Sequence, residues 1–149
     1  MIDIDEIMML LDWNRSHAEQ AKGIHMAQNV KCLKAFFQPI GANYGKNVWE
    51  NCAVIICNRS DDELVPYIRD MLLWLQDLNW PGAELIQNRL IQFQDIHMLT
   101  LWINSIVPEL SKLKKDCWLF FISGILENTD LKKSIDPAVL EILNSYAVR

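Results

Sequence analysis

The sequence predicts an all-α protein: about eight helices, stacked as helical hairpins in one domain spanning residues 1–149. Three observations predict it. Apolar residues recur at helical spacing almost throughout. Two tracts, Ser16-His17-Ala18-Glu19 and Ser60-Asp61-Asp62-Glu63, have capping-box spacing: the serine hydroxyl accepts from the backbone three residues on, and the glutamate reaches back. Four tryptophans (Trp13, Trp49, Trp80 and Trp118) recur at spacings of 36, 31 and 38 residues, each near a polar residue suited to a helix start, namely Asn14, Asn47, Asn79 or Asp116. A period of roughly 30–40 residues marks a helical-hairpin solenoid, in which each unit buries its apolar side on its neighbours. No stretch alternates for long, and no Asn-Gly or Asp-Gly turn joins two such stretches, so no strand is expected.

The elements follow in order. Ile4 to Asp12 makes a short first helix, and the Ser16 box opens a second through Ala21, Ile24 and Ala27, reaching Phe37 with a weak point at Gly23. Gln38 to Lys46 holds a proline and two glycines and reads as the clearest loop. Asn47 to Asn58 is the next helix, and the Ser60 box opens another to about Asp77, bent early by Pro66, which lacks a backbone donor. Asn79-Trp80-Pro81 starts a helix to about Phe93, with proline tolerated in the first turn. Residues 96–113 give a further helix with a second Val-Pro pair, Val107-Pro108. Asp116 to Leu126 gives a very apolar one, and Asp136-Pro137 caps the last. Pro66 precedes Trp80 by 14 residues and Pro108 precedes Trp118 by 10, a difference of about one helical turn, so two units of a proline-bent helix and a tryptophan-led helix superpose.

Composition limits function. Apolar residues make up 51% and charged residues 22%, which excludes a disordered chain. No apolar run approaches the roughly 18–20 residues a bilayer requires. The acidic start is no secretory n-region, so a cytoplasmic location is expected. Cys32, Cys52, Cys57 and Cys117 form no C-x-x-C pair and read as buried free thiols among apolar neighbours. The net charge of −5 lies entirely in residues 47–100, where eight acids meet only Arg59, Arg69 and Arg89. Nucleic-acid binding, which needs a basic face, is disfavoured, and a basic partner is permitted.

The bent first helix, tight turn and packed second helix resemble HEAT-type repeats. More specifically, Asn47 to Ala53 (NVWENCA) and Trp74 to Ala83 (WLQDLNWPGA) resemble the hallmark of a family of small bacterial HEAT-like proteins of unassigned function. The similarity runs from about Gly23 to Phe93. It implies a fold and no active site. Some small bacterial helical proteins of this kind are similar to immunity proteins of toxin systems.

No motif carries catalysis. His17 and His25 are eight residues apart, about 80° out of alignment on a helix, and His97 is remote, so no metal site is expected. His17 reads as a surface residue and His25 as partly buried. Asp61, Asp62 and Glu63 lie at a helix start, where the dipole accounts for them. No nucleophile elbow, P-loop or dinucleotide fingerprint occurs, and no cofactor is implied. Trp49, Trp80 and Trp118 read as packing between repeats.

Two helices suggest a binding face. On the one after Trp80, Ala83, Ile86, Leu90 and Phe93 form the core stripe, while Glu84, Gln87, Asn88 and Ile91 face away. On the apolar one, Asp116, Phe120, Ser123 and Glu127 form the only polar stripe. Phe120 is either covered by the C-terminal helix or an exposed aromatic anchor. In a HEAT-like stack the second helix of each unit lines the concave side, which gives Glu50, Glu84, Gln87, Phe120 and Glu127 as a partner-facing row. The expected function is non-enzymatic protein binding, in its sharpest form the neutralisation of a basic nuclease-type toxin by an acidic row. An enzyme or nucleic-acid module of the HEAT-like DNA glycosylase type is one alternative. A structural subunit that self-associates through residues 116–126 is the other.

Overall fold

In the computed structural model, residues 2–41 and 43–147 are described, and all regular structure among them is helical. Asp3 caps α1 (Ile4–Leu10) by accepting from the backbone of Asp5 and Glu6. Ser16 caps α2 (His17–Ala27): its hydroxyl accepts from Glu19 N, and the Glu19 carboxylate accepts from that hydroxyl at 3.0 Å and from Arg15 at 2.9 Å. The helix stops at Ala27 rather than continuing to Phe37. Arg59, from another part of the chain, takes the carbonyls of Ala27 and Val30 at 2.8 Å each, acceptors that a longer helix would use internally. Gly23 is no weak point. A Cβ there would lie 2.9 Å from Leu10 Cβ, so the glycine lets α1 and α2 approach closely.

A 3-10 turn, Leu33–Phe36, leads into the expected loop, where Gln38–Gly41 forms a single turn, α3, and Lys46–Val48 a second 3-10 turn. Ala42, within that loop, lies outside the described residues. Then comes α4 (Trp49–Cys57). The second capping box is complete at Ser60 and Glu63 and opens α5 (Asp61–Leu64). Pro66 sits in a 3-10 turn, Val65–Tyr67, that joins α5 to α6 (Ile68–Trp74), so the bend expected there is present.

The next helix, α7 (Ala83–Ile91), starts three residues after Trp80. Gly82, at φ +86°, turns the chain into it, and Trp74 Nε1 donates to the carbonyl of Pro81 at 3.1 Å. The 17-residue α8 (Ile96–Lys112) runs unbroken past Pro108. The two proline units therefore do not superpose: one proline breaks its helix and the other does not. The apolar α9 (Asp116–Ser123) tightens into a 3-10 turn, Gly124–Glu127, where Gln87 Nε2 donates to the carbonyl of Phe121 at 2.8 Å. Asn128 caps α10 (Thr129–Ser134), an element the sequence reading omits, and Pro137 opens α11 (Pro137–Ala147).

Packing passes from neighbour to neighbour: α1 on α2, α2 on α4, α4 on α7, α7 on the turn after α9, and α9 and α8 on α11. One hydrophobic cluster runs from Ile7 to Leu143. The tryptophans do not share one structural role. Trp49 is buried, 6% exposed, and meets Trp80 edge-on at 5.8 Å. Trp80 and Trp118 are only partly buried, and Trp13 is 50% exposed in the turn after α1. The fully buried indole is Trp74, which no repeat position singles out. The cysteines also divide. Burial pushes the Cys52 thiol up to about 12 and the half-buried Cys57 to about 11, whereas Cys32 and Cys117 are exposed. His17 is exposed as expected, and His25 is exposed rather than partly buried.

Candidate functional site

The predicted partner-facing row divides between two places. Three of its residues, Gln87, Phe120 and Glu127, line one cleft of about 530 Å³. It forms where α7, α9, α10 and the end of α11 meet.

The wall from α9 owes its form to that helix's composition. Leu119 and Ile122 are fully buried, and α11 packs against the same helix. Tyr146 of α11 donates to Asp116 Oδ1 at 2.5 Å and ties the helices together. The covering helix expected for α9 is thus present, and Phe120 still remains 43% exposed. Its ring meets Phe121 at 5.6 Å with a 64° tilt. Ser123 does not belong to a polar stripe: it is buried, and its hydroxyl donates to the carbonyl of Phe120 at 2.5 Å. The polar side of the helix is therefore Asp116, Phe120 and Glu127 alone.

Gln87 does not face away into solvent. It is half-buried, its amide is committed to Phe121, and a Cβ on Gly124 would collide with it. It fixes the cleft floor while its Oε1 remains an acceptor. Ile91 is likewise half-buried, whereas Glu84 and Asn88 are exposed. The core stripe Ala83, Ile86, Leu90 and Phe93 is buried as expected. Sequence reasoning missed Lys132 and Asn144, which line the same cleft. Nothing local in the sequence marked Lys132, because the helix that carries it is opened by Asn128, whose partners include the distant Leu90 and Phe93 carbonyls.

Glu50 and Glu84 lie apart from this cleft, where α4 meets the start of α7. Glu50 Oε2 accepts the backbone N–H of Gly82 at 2.6 Å, so it holds the turn into α7. Glu84 follows two residues later and makes no ion pair among the described residues.

Three further acids of the middle third, Asp61, Glu63 and Asp77, also have internal partners. Asp61 pairs with Arg89 at 2.6 Å and accepts from the backbone of Gln94 and Asp95. Burial alone would raise its pKa, but the bonds from Gln94, Arg89 and Asp95 outweigh it and hold the carboxyl below its ordinary value. Glu63 pairs with Arg59 at 2.8 Å. Asp77 accepts from Asn79 N at 2.9 Å. Asp70 differs. Desolvation raises its pKa against the pull of Arg69 and Lys34, and it lines a second cleft of about 480 Å³ with Phe37 and Lys34. The excess of negative charge is thus not one continuous row. Among the described residues, no three His, Cys, Asp or Glu side chains converge as a metal ion requires, and no helix is long and apolar enough to cross a membrane.

A family model described as a domain of unknown function (DUF5071) matches residues 50–145, well over half of the chain, and the chain belongs to that family. No curated protein matches, and no solved structure matches.

Proposed function

We propose that this member of the family is a non-enzymatic protein-binding module that docks a basic partner at the α9 cleft. One observation carries the reading: Phe120 stays 43% exposed on a helix whose other large apolar side chains are buried or half-buried, at a cleft that Glu127 also lines. An aromatic ring kept out of the core beside an unpaired carboxylate has the character of an interface anchor. We read the packing of α4 on α7, and of α7 on the turn after α9, as HEAT-like, and stacks of that kind present their faces to macromolecules. Glu84 and Glu127, in no ion pair among the described residues, favour a basic partner, and neutralisation of a nuclease-type toxin is the sharpest form of the proposal.

The test uses the purified protein as bait, with Phe120→Ala and Glu84→Lys/Glu127→Lys variants beside it. Glu50 is left intact because its substitution would also disturb the Gly82 turn. A captured basic partner should associate more slowly as salt rises and more slowly still with the double-lysine variant. Phe120→Ala should act on the dissociation rate instead. An acidic partner, or binding indifferent to all three substitutions, overturns the proposal. Release of bases from damaged DNA by the protein alone would establish the enzyme reading in its place.

A further inference from the structure

The cleft holds two opposite charges that do not use each other. Glu127 lines it from the 3-10 turn after α9 and Lys132 from α10, and both are exposed. The ion pairs among the described residues are Arg15–Glu19, Arg59–Glu63 and Arg89–Asp61, so neither group is consumed internally. The exposed Phe120 ring, Gly124 and the buried Leu126 line the same cleft.

A partner that offered only positive charge would be drawn to Glu127 and repelled by Lys132. One that offered only negative charge would meet the reverse. The arrangement suits a ligand carrying both charges a few ångströms apart with a flat, weakly hydrated cation. Arginine fits the cationic half better than lysine does. Its planar guanidinium stacks on an aromatic face and forks onto a carboxylate, whereas an ammonium is a compact and strongly hydrated point charge.

We infer that the α9 cleft recognises an arginine and a carboxylate two residues apart, and so on one face, in an extended partner segment, the guanidinium on Phe120 and Glu127 and the carboxylate on Lys132. This rests on the reading of the cleft as the docking face and names what docks there. The chain has one arginine with an acid two residues on, Arg59 and Asp61, but these are engaged with Glu63 and Arg89, so among the described residues a second copy offers no such pair.

The experiment is an amide-resolved NMR titration of the full chain with Ac-Gly-Arg-Gly-Asp-Gly-NH2 (the Arg-Asp peptide), and with its Lys-Asp and Arg-Asn counterparts. The Arg-Asp peptide should shift amides at residues 120–127 and 131–133. The Lys-Asp peptide should bind about 10-fold more weakly, the equivalent of about 1.4 kcal/mol. Glu127→Gln should weaken the Arg-Asp peptide by a similar factor. Lys132→Gln should weaken Arg-Asp while strengthening Arg-Asn, a crossover that a merely structural role for Lys132 would not produce. Equal binding of the lysine peptide, shifts confined to other surfaces, or no shift at about 10 mM peptide each overturn the inference. So does self-association of the free chain that the Arg-Asp peptide abolishes, because the occupant would then be a second copy. If the bait experiment succeeds through Phe120 while the peptides fail, the docking face stands and the arginine rule falls.

Discussion

Asp61 and Asp70 are both acids of the negative middle third, and their surroundings push them in opposite directions. Asp61 receives Arg89 and two backbone donors, so its folded pKa lies below its unfolded one. Such a group adds stability above the unfolded pKa, and that stability disappears as pH falls through the folded one. Asp61→Asn should therefore lower the denaturation midpoint at pH 7 and converge with wild type once the pH drops well below about 4. Parallel curves across that range would show that Asp61 is not linked to folding. Asp70 is half-buried, and desolvation raises its pKa. Below both of its pKa values it costs nothing. As pH rises through the unfolded value the unfolded chain ionises first, and stability falls until the folded value is passed. Asp70→Asn should thus be neutral in acid and stabilising at pH 7, read from urea midpoints at both pH values. The tryptophans make the same contrast in the core. Trp74 is fully buried, and its Nε1–H donates to Pro81. Trp74→Ala should cost about 3–5 kcal/mol, as large aromatic truncations in cores do. Trp80, only partly buried against Trp49, should cost clearly less. An equal loss for both would show that the edge-on pair, not burial, carries the energy.

At the scale of elements, helix starts were legible because their chemistry is local. Ser16, Ser60 and the Asp136-Pro137 start each open a helix where the sequence placed it. Helix ends and breaks were less legible, because partners from elsewhere in the chain set them. Arg59 ends α2, Gln87 bonds to the end of α9, and Glu50 shapes the entry to α7. The same holds for the candidate site. Phe120 and Glu127 were readable from the spacing on one helix. Lys132 was not, because α10 depends on Asn128, whose role is tertiary. Its Nδ2 donates to the carbonyls of Leu90 at 3.2 Å and Phe93 at 3.0 Å, and its Oδ1 accepts from Leu131 N at 3.1 Å. One buried amide thus closes the end of α7 and opens α10. Asn128→Ala removes all three bonds and should cost about 2–4 kcal/mol, since buried backbone groups lose their partners and the helix loses its cap. Asn128→Asp keeps the cap acceptor but turns a charge toward two carbonyls, so it should cost no less at pH 7. A neutral Ala variant would mean that water replaces the amide.

For the molecule as a whole, the family match and the physical folding unit have different extents. The match begins at residue 50, yet the first 49 residues are built into the same core. Asn51 Nδ2 donates to the carbonyl of Leu11 at 2.7 Å and to Gln20 Oε1 at 2.9 Å. Leu33 N donates to Tyr67 Oη at 3.2 Å, and Arg59 takes its carbonyls from Ala27 and Val30. Phe37 stacks on Tyr67 at 5.1 Å and meets Trp74 edge-on at 6.4 Å. Ile7, Met8, Leu11, Leu33 and Phe36 are almost wholly buried in that cluster. Each such side chain contributes about 1.5–3 kcal/mol by burial, and a domain has only about 5–15 kcal/mol of net stability. Cutting these residues away would remove that burial and open α4 and α6 to water at the same time. A fragment of residues 50–145 should therefore lack a cooperative melting transition and bind a hydrophobic dye, while the full chain melts in one step. Restoring residues 2–49 as a separate peptide should bring back part of the helical signal if the two pieces recognise each other as they do within the chain. A fragment that melts cooperatively within a few degrees of the full chain would show instead that the family-matched part folds alone. The N-terminal hairpin would then be an appendage to it rather than half of the wall on which α4 is packed.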